Sequence, residues 1–301
     1  MEFAVHYSRA AASLVDAGEI APDRFKCPAW PDLIAAVQAR YPLYVHFPLR
    51  IGSGRGDAID TETKRAANWR AVETFLEQTG TPFVNLHLEP MTEDFPTIPA
   101  DTTDPAHIDY LTEWMIRDTA AVVARFGAER VIAENVPGGE GCLRPAYLPA
   151  VVRRVVTETG CGLLFDLSHA RRAARTLGMD AREYIAALPI EQTCEIHITG
   201  IQHFDARWEA TLRAAGIDER VIRQFAGQWQ DHLPFTEDDW AFTAWACDEI
   251  RHGAWGAPWM MALEYGGVGP LWEAIGESDI LREQTPRLHA MVRAAQLPPP
   301  A

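Results

Sequence analysis

Six short apolar segments of this chain each end on a histidine, aspartate or glutamate: His46, His87, Glu134, Asp166, His197 and Glu264. Imidazole and carboxylate ligate iron, manganese or zinc without help from thiolate. They are also the usual general acids and bases. His, Asp and Glu fill 52 of the 301 positions, so finding one at the end of six segments is not a chance distribution. Three imidazoles and three carboxylates sharing one cavity would be desolvated with no partner to relieve them. A metal relieves that cost, and the candidates exceed what one ion takes, so two or three ions are expected. Residues two apart on a strand share a face, which aims Asn85 with His87 and Glu195 with His197. His169, three residues after Asp166 on the turn into a helix, can swing back over the same rim. Asp231-His232, just before Leu233-Pro234, is placed to fold over the mouth as a lid.

The elements that must position these residues alternate in type. Strand-like runs occur at Phe3–Tyr7, Leu43–Phe47, Phe83–Leu88, Arg130–Val136, Gly162–Leu167, Cys194–Ile198 and Trp259–Tyr265, each bounded by Pro, Gly or polar residues. Helical periodicity fills the connections: Trp69, Val72, Phe75 and Leu76 share a face, as do Ile108, Leu111, Met115, Val122 and Phe126, and Leu148, Val151, Val152, Val155 and Val156. Such alternation implies parallel strands with right-handed crossovers. A (β/α)8 TIM-type barrel with an irregular or missing strand is expected, and an open doubly wound sheet is the alternative. Seven strands are visible, and the eighth is sought within Ile201–Gly256. Active sites of such barrels lie at the carboxyl ends of the strands, where the six residues fall. Residues 1–297 are expected to form one domain, and 298–301 a disordered tail.

Composition removes several classes. A net charge of −15 repels phosphate, so nucleic acid is not an expected partner. No run reaches a membrane span and Met1-Glu2-Phe3 is no basic signal start, so a cytoplasmic protein without membrane contact is expected. Five scattered cysteines (27, 142, 161, 194, 247) without a CxxC exclude a thiolate zinc cluster. Gly52-Ser-Gly-Arg-Gly56 lacks dinucleotide spacing and a Walker lysine, and reads as a plain loop. His6 has no acidic companion and is set outside the site. His107, His252 and His289 are expected to face solvent, and Trp240 and Trp245 to pack a helix. Taken singly, Glu264 or Asp166 could pair with a rim arginine such as Arg50 or Arg171.

The ordered set Asn85-Leu-His87, Ala133-Glu134-Asn135, Phe165-Asp-Leu-Ser-His169, Glu195-Ile-His-Ile-Thr-Gly200, Asp231-His232 and Leu263-Glu264-Tyr265 resembles the DUF692 family. These are the multinuclear non-heme iron-dependent oxidases of the xylose-isomerase-like TIM-barrel superfamily. The resemblance implies iron ligation by His46, His87, Glu134, His169, His197, His232 and Glu264, with Asp166 and Asp231 as catalytic residues beside them. It further implies two or three irons, dioxygen, and a cysteine-bearing peptide or small thiol as substrate. The setting would be biosynthesis of a ribosomally made peptide (RiPP), often with a small partner protein that delivers the peptide. One departure stands out. The family's Asp-x-His appears as adjacent Asp231-His232, with Gln230 where the aspartate would stand.

Three other functions compete. A zinc- or manganese-dependent sugar isomerase or epimerase would use Glu134 and Glu264 in proton transfer at carbon. A barrel that only binds a peptide would have lost its chemistry. An abasic-site endonuclease on this scaffold is disfavoured by the negative charge.

Overall fold

The computed structural model describes residues 1–139 and 141–296; the expected disordered tail lies outside the described residues. Its strands in chain order are β1 (Glu2–His6), β2 (Arg24–Pro28), β3 (Leu43–His46), β4 (Leu49–Ile51), β5 (Ile59–Asp60), β6 (Val84–Leu88), β7 (Val131–Glu134), β8 (Gly162–Asp166), β9 (Thr193–Ile198), β10 (Gly200–His203), β11 (Trp229–Leu233) and β12 (Met260–Leu263). One sheet runs β3-β2-β1-β12-β9-β8-β7-β6-β4-β5, and β10 pairs with β11 separately. Every pairing of the large sheet is parallel except β4 with the short β5.

β3 and β4 are two halves of one strand, interrupted at Phe47-Pro48. The first half pairs with β2 and the second with β6, so the two ends of the sheet meet within a few residues of chain and close an α/β barrel. A side chain completes the interrupted ladder. Asn85 Oδ1 accepts from Phe47 N at 2.7 Å, and Asn85 Nδ2 donates to Phe47 O at 3.0 Å. Asn135 does the same one strand further on, donating to Asp166 O at 2.8 Å and accepting from Asp166 N at 2.9 Å.

The eighth strand is β2, not a segment of Ile201–Gly256. That region instead holds the antiparallel pair β10–β11 and helices Ala206–Ala214, Glu219–Phe225 and Glu237–Arg251. β2 escaped recognition because its inward residue is Lys26 and it ends on Pro28, so it carries no apolar run. Gly200 opens the β10–β11 pair where a Cβ would sit 2.0 Å from Pro234 O, a position only glycine fits.

Apolar packing falls into two layers. The larger lies between sheet and helices, and the helix Pro149–Thr159 gives it Val151, Val152, Val155 and Val156, all buried. Each contributes roughly 1.5–3 kcal/mol by burial. The smaller comprises Ala4, Tyr44, Met260 and Ala262, which by strand alternation face the barrel interior below the polar rim. The glycine-rich segment is structural, as expected: buried Asp118 accepts from Gly52 N at 2.9 Å, Ser53 N at 3.0 Å and Gly56 N at 2.8 Å. Trp240 and Trp245 pack on Phe235 and Trp255, also as expected.

Candidate metal centre

The alternation that buries Ala4, Tyr44 and Ala262 carries His6, His46 and Glu264 to the same interior face two residues later. A cavity of about 240 Å³ opens at that level, lined by His6, Lys26, His46, His87, Glu134 and Glu264 among others. An adjoining one of about 310 Å³ reaches Cys142, Arg172 and Asp231, and shares His87, His169 and His232 with the first.

Glu134, 1% exposed, is the hub. Its Oε2 lies 3.2 Å from His87 Nε2 and 3.6 Å from His46 Nε2. Its Oε1 lies 3.5 Å from His169 Nδ1 and 3.7 Å from His197 Nδ1. His46 Nε2 and His87 Nε2 are 3.4 Å apart. His46, His87 and Glu134 form one group able to hold a metal ion, and Glu134, Asp166 and His197 form another. Several polar atoms here are buried without a hydrogen-bond partner: Glu134 Oε2, Asp166 Oδ2, His197 Nδ1, His232 Nδ1 and His6 Nδ1. Buried polar atoms are normally satisfied, so this concentration marks a place where a cation fits.

The protein also fixes which ring nitrogens face inward. His87 Nδ1 donates to Leu49 O at 2.9 Å, leaving Nε2 to face Glu134. His169 Nδ1 donates to Asn135 O at 2.9 Å, and its Nε2 is 3.5 Å from Asp231 Oδ2. His197 Nε2 donates to Glu195 Oε1 at 2.9 Å, while Trp259 Nε1 holds Glu195 Oε2 at 3.1 Å. That leaves His197 Nδ1 aimed at Glu264 Oε1, 3.2 Å away. Outer carboxylate or carbonyl partners of this kind set the tautomer of metal-binding histidines. His46 Nε2 lies 3.2 Å from Asn85 Nδ2, which steadies the ring.

Electrostatics follow from burial and crowding. Burial drives His46 and His6 well below the usual imidazole range, with the Lys26 charge adding to it. Burial would raise Glu134, but attraction to His87, a hydrogen bond with His197 and attraction to His46 prevail and hold it well below the carboxylate range. Burial pushes Asp166 up. His232 drops to about 4, through burial first. Burial opposes ionisation of Asp231 too, yet Arg172 and His169 hold it at about 2.

All nine sequence-derived residues meet at this rim. Asp231 and His232 arrive on β11 and line the adjoining cavity, with His232 at φ 59, a strained backbone for a non-glycine residue. Three expectations fail. His6, set outside the site, lines the cavity. Neither Arg50 nor Arg171 pairs with Glu264 or Asp166: Arg50 Nη1 takes Asp94 at 2.6 Å and Arg171 takes Asp239. Glu264 instead meets Lys26, a residue missed along with its strand. Of the histidines expected to face solvent, His252 is exposed, while His107 and His289 are half-buried away from the rim, bonded to Thr102 and Arg293.

Fold and rim together define a (β/α)8 barrel whose carboxyl end can hold metal. The solved structure of D-psicose 3-epimerase from Clostridium cellulolyticum H10 superposes with a TM-score of 0.53 at 10% identity, covering 98% of this chain and 99% of that one. Residues 147–233 match the family described as RiPP precursor modification enzyme MbnB/TglH/ChrH, bearing out the resemblance read from the sequence. That segment contains Asp166, His169, His197, Asp231 and His232. A UPF0276 protein of Paraburkholderia phytofirmans is 47% identical over 49 residues, 16% of each chain. Another from Pseudomonas aeruginosa is 26% identical over 219 residues, 71% of this chain and 66% of that protein. The chain thus spans under two thirds of the length of these relatives. No helix among the described residues is long and apolar enough to cross a membrane.

Proposed function

We propose that this chain is a multinuclear iron-dependent oxidase that uses dioxygen to modify a cysteine-bearing peptide or small thiol. The carrying observation is the convergence of His46, His87 and Glu134, whose Nε2 and Oε2 atoms all lie within 3.6 Å of one another. The match of residues 147–233 to RiPP precursor modification enzymes supports a peptide substrate.

In this reading His46, His87, Glu134, His169, His197, His232 and Glu264 hold metal with Asp166 and Asp231 beside them, within a single domain spanning 1–297. Bound iron would supply redox capacity and an open position for a thiolate beside dioxygen. The residues of the chain do the rest. Leu49 O, Asn135 O and Glu195 keep the histidine lone pairs inward. The cavity of about 240 Å³ has room for one substrate side chain and not for a folded peptide, so the peptide backbone lies across the mouth and inserts its cysteine. Gln230, Asp231 and His232 of β11 line the adjoining cavity beside that mouth.

The experiment is anaerobic addition of thiol-bearing peptides to iron-loaded protein, followed by dioxygen. The iron absorption spectrum should shift with thiol, and turnover should need both reduced iron and oxygen. Spectra unmoved by every thiol, together with oxygen-independent conversion of a sugar, would replace this reading with the isomerase one.

A further inference from the structure

The unpartnered carboxylate oxygens and imidazole nitrogens of the rim are atoms that a cation satisfies. Gln230 Nε2 is of a different kind. The residue is 6% exposed, and this nitrogen is buried with no hydrogen-bond partner among the described residues. An amide nitrogen offers protons and no lone pair, so metal does nothing for it and only an acceptor will serve. Buried donors are normally paired, because leaving one unmade is costly. Gln202, opposite Gln230 across the β10–β11 pair, shows the ordinary case: its Nε2 donates to Pro234 O at 2.7 Å.

Gln230 lines the cavity of about 310 Å³ that shares His87, His169 and His232 with the metal-centre cavity. Phe225 and Trp272 give that space an apolar wall, their ring centroids 6.3 Å apart. Gly138-Gly139 gives it bare backbone, and a Cβ at Gly139 would meet nothing within 4 Å. Twice elsewhere the chain uses a side-chain amide to hold a peptide unit. Asn85 brackets the N–H and C=O of Phe47, and Asn135 those of Asp166. We propose that Gln230 holds the backbone of the substrate in this same two-point manner, donating to the carbonyl and accepting from the N–H of a residue next to the reacting cysteine. This rests on the oxidase reading above and narrows its substrate from any thiol to a peptide. The cysteine enters the cavity of about 240 Å³, and its neighbour lies in the adjoining one against Phe225 and Trp272. An ionised aspartate, which the Asp-x-His pattern would put at this position, has no proton to donate to a carbonyl.

The test is calorimetry on iron-reconstituted protein held without oxygen. The probes are acetyl-Ala-Ala-Cys-Ala-Ala-amide, a series in which each backbone N–H is replaced in turn by an ester oxygen, and 2-mercaptoethanol. In wild type an ester next to the cysteine should weaken binding about 3- to 10-fold, as the loss of one neutral hydrogen bond does. Gln230→Leu should weaken the parent peptide about 5- to 100-fold, for two such bonds. It should also erase the ester effect, leave 2-mercaptoethanol binding as before and keep its iron. A wild type indifferent to every ester overturns the inference, whether or not Gln230→Leu folds. So does a folded Gln230→Leu that binds the peptide as wild type does, or one that loses iron and thereby marks Gln230 as a metal ligand. An iron spectrum unmoved by thiols, with the ester-sensitive binding intact, refutes the oxidase reading instead and upholds the backbone contact.

Discussion

Replacing Glu195 by Gln isolates the orientation of one ligand from its presence. Glu195 receives two donors, the buried His197 Nε2–H at 2.9 Å and the partly buried Trp259 Nε1–H at 3.1 Å. A glutamine has one oxygen and one amide, so one of those donors must face N–H₂, at a cost of about 1–3 kcal/mol. With the amide turned to His197, the imidazole proton moves to Nδ1. That atom is 3.2 Å from Glu264 Oε1 and 3.7 Å from Glu134 Oε1, and its lone pair is then lost to metal. Loss of such an outer partner lowers metal affinity about 10–100-fold, or about 1.4–2.7 kcal/mol. Chelator competition for ferrous iron under anaerobic conditions measures it directly. A second substitution gives the reasoning its sharper edge. Trp259→Phe removes the competing donor, lets the glutamine oxygen turn to His197, and should restore much of the affinity in the double mutant while doing little alone. If E195Q binds iron as tightly as wild type, or the double mutant is weaker than E195Q, the proposed control of the His197 tautomer is wrong.

Asn85→Ala orphans Phe47 N–H and C=O at the interrupted strand, each worth about 1–3 kcal/mol, so denaturant unfolding should show a loss of about 2–6 kcal/mol, with Asn85→Asp intermediate because it keeps only the acceptor. His232 titrates at about 4 in the fold against 6.5 free, so its neutral form is the folded one. The unfolded chain therefore binds the extra proton as pH falls. Stability of the metal-free protein is full above about 6.5 and declines towards 4, by about 3 kcal/mol for this one group. His232→Asn should flatten that decline in urea unfolding measured from pH 7 to 4, and an unchanged slope would show that His232 is not the titrating group.

The rim was legible from the sequence because strand alternation is local. Asn85 with His87 and Glu195 with His197 share faces by a two-residue period that no distant contact alters, and a strand end marks the catalytic rim whatever its neighbours are. The apolar faces of helices Trp69–Thr79, Pro105–Phe126 and Pro149–Thr159 were legible for the same reason. β2 was not, because its identity as a strand comes from pairing with β1 and β3 rather than from apolar content. The break at Phe47-Pro48 reads as a loop until β6 supplies Asn85 to bridge it. Which charges neutralise one another was likewise beyond reach: Lys26 and Glu264 are 238 positions apart, and barrel closure brings β1, flanked by β2 and β12, between them. Periodicity fixes which way a side chain points, whereas the partner it meets there depends on shear and closure of the whole barrel.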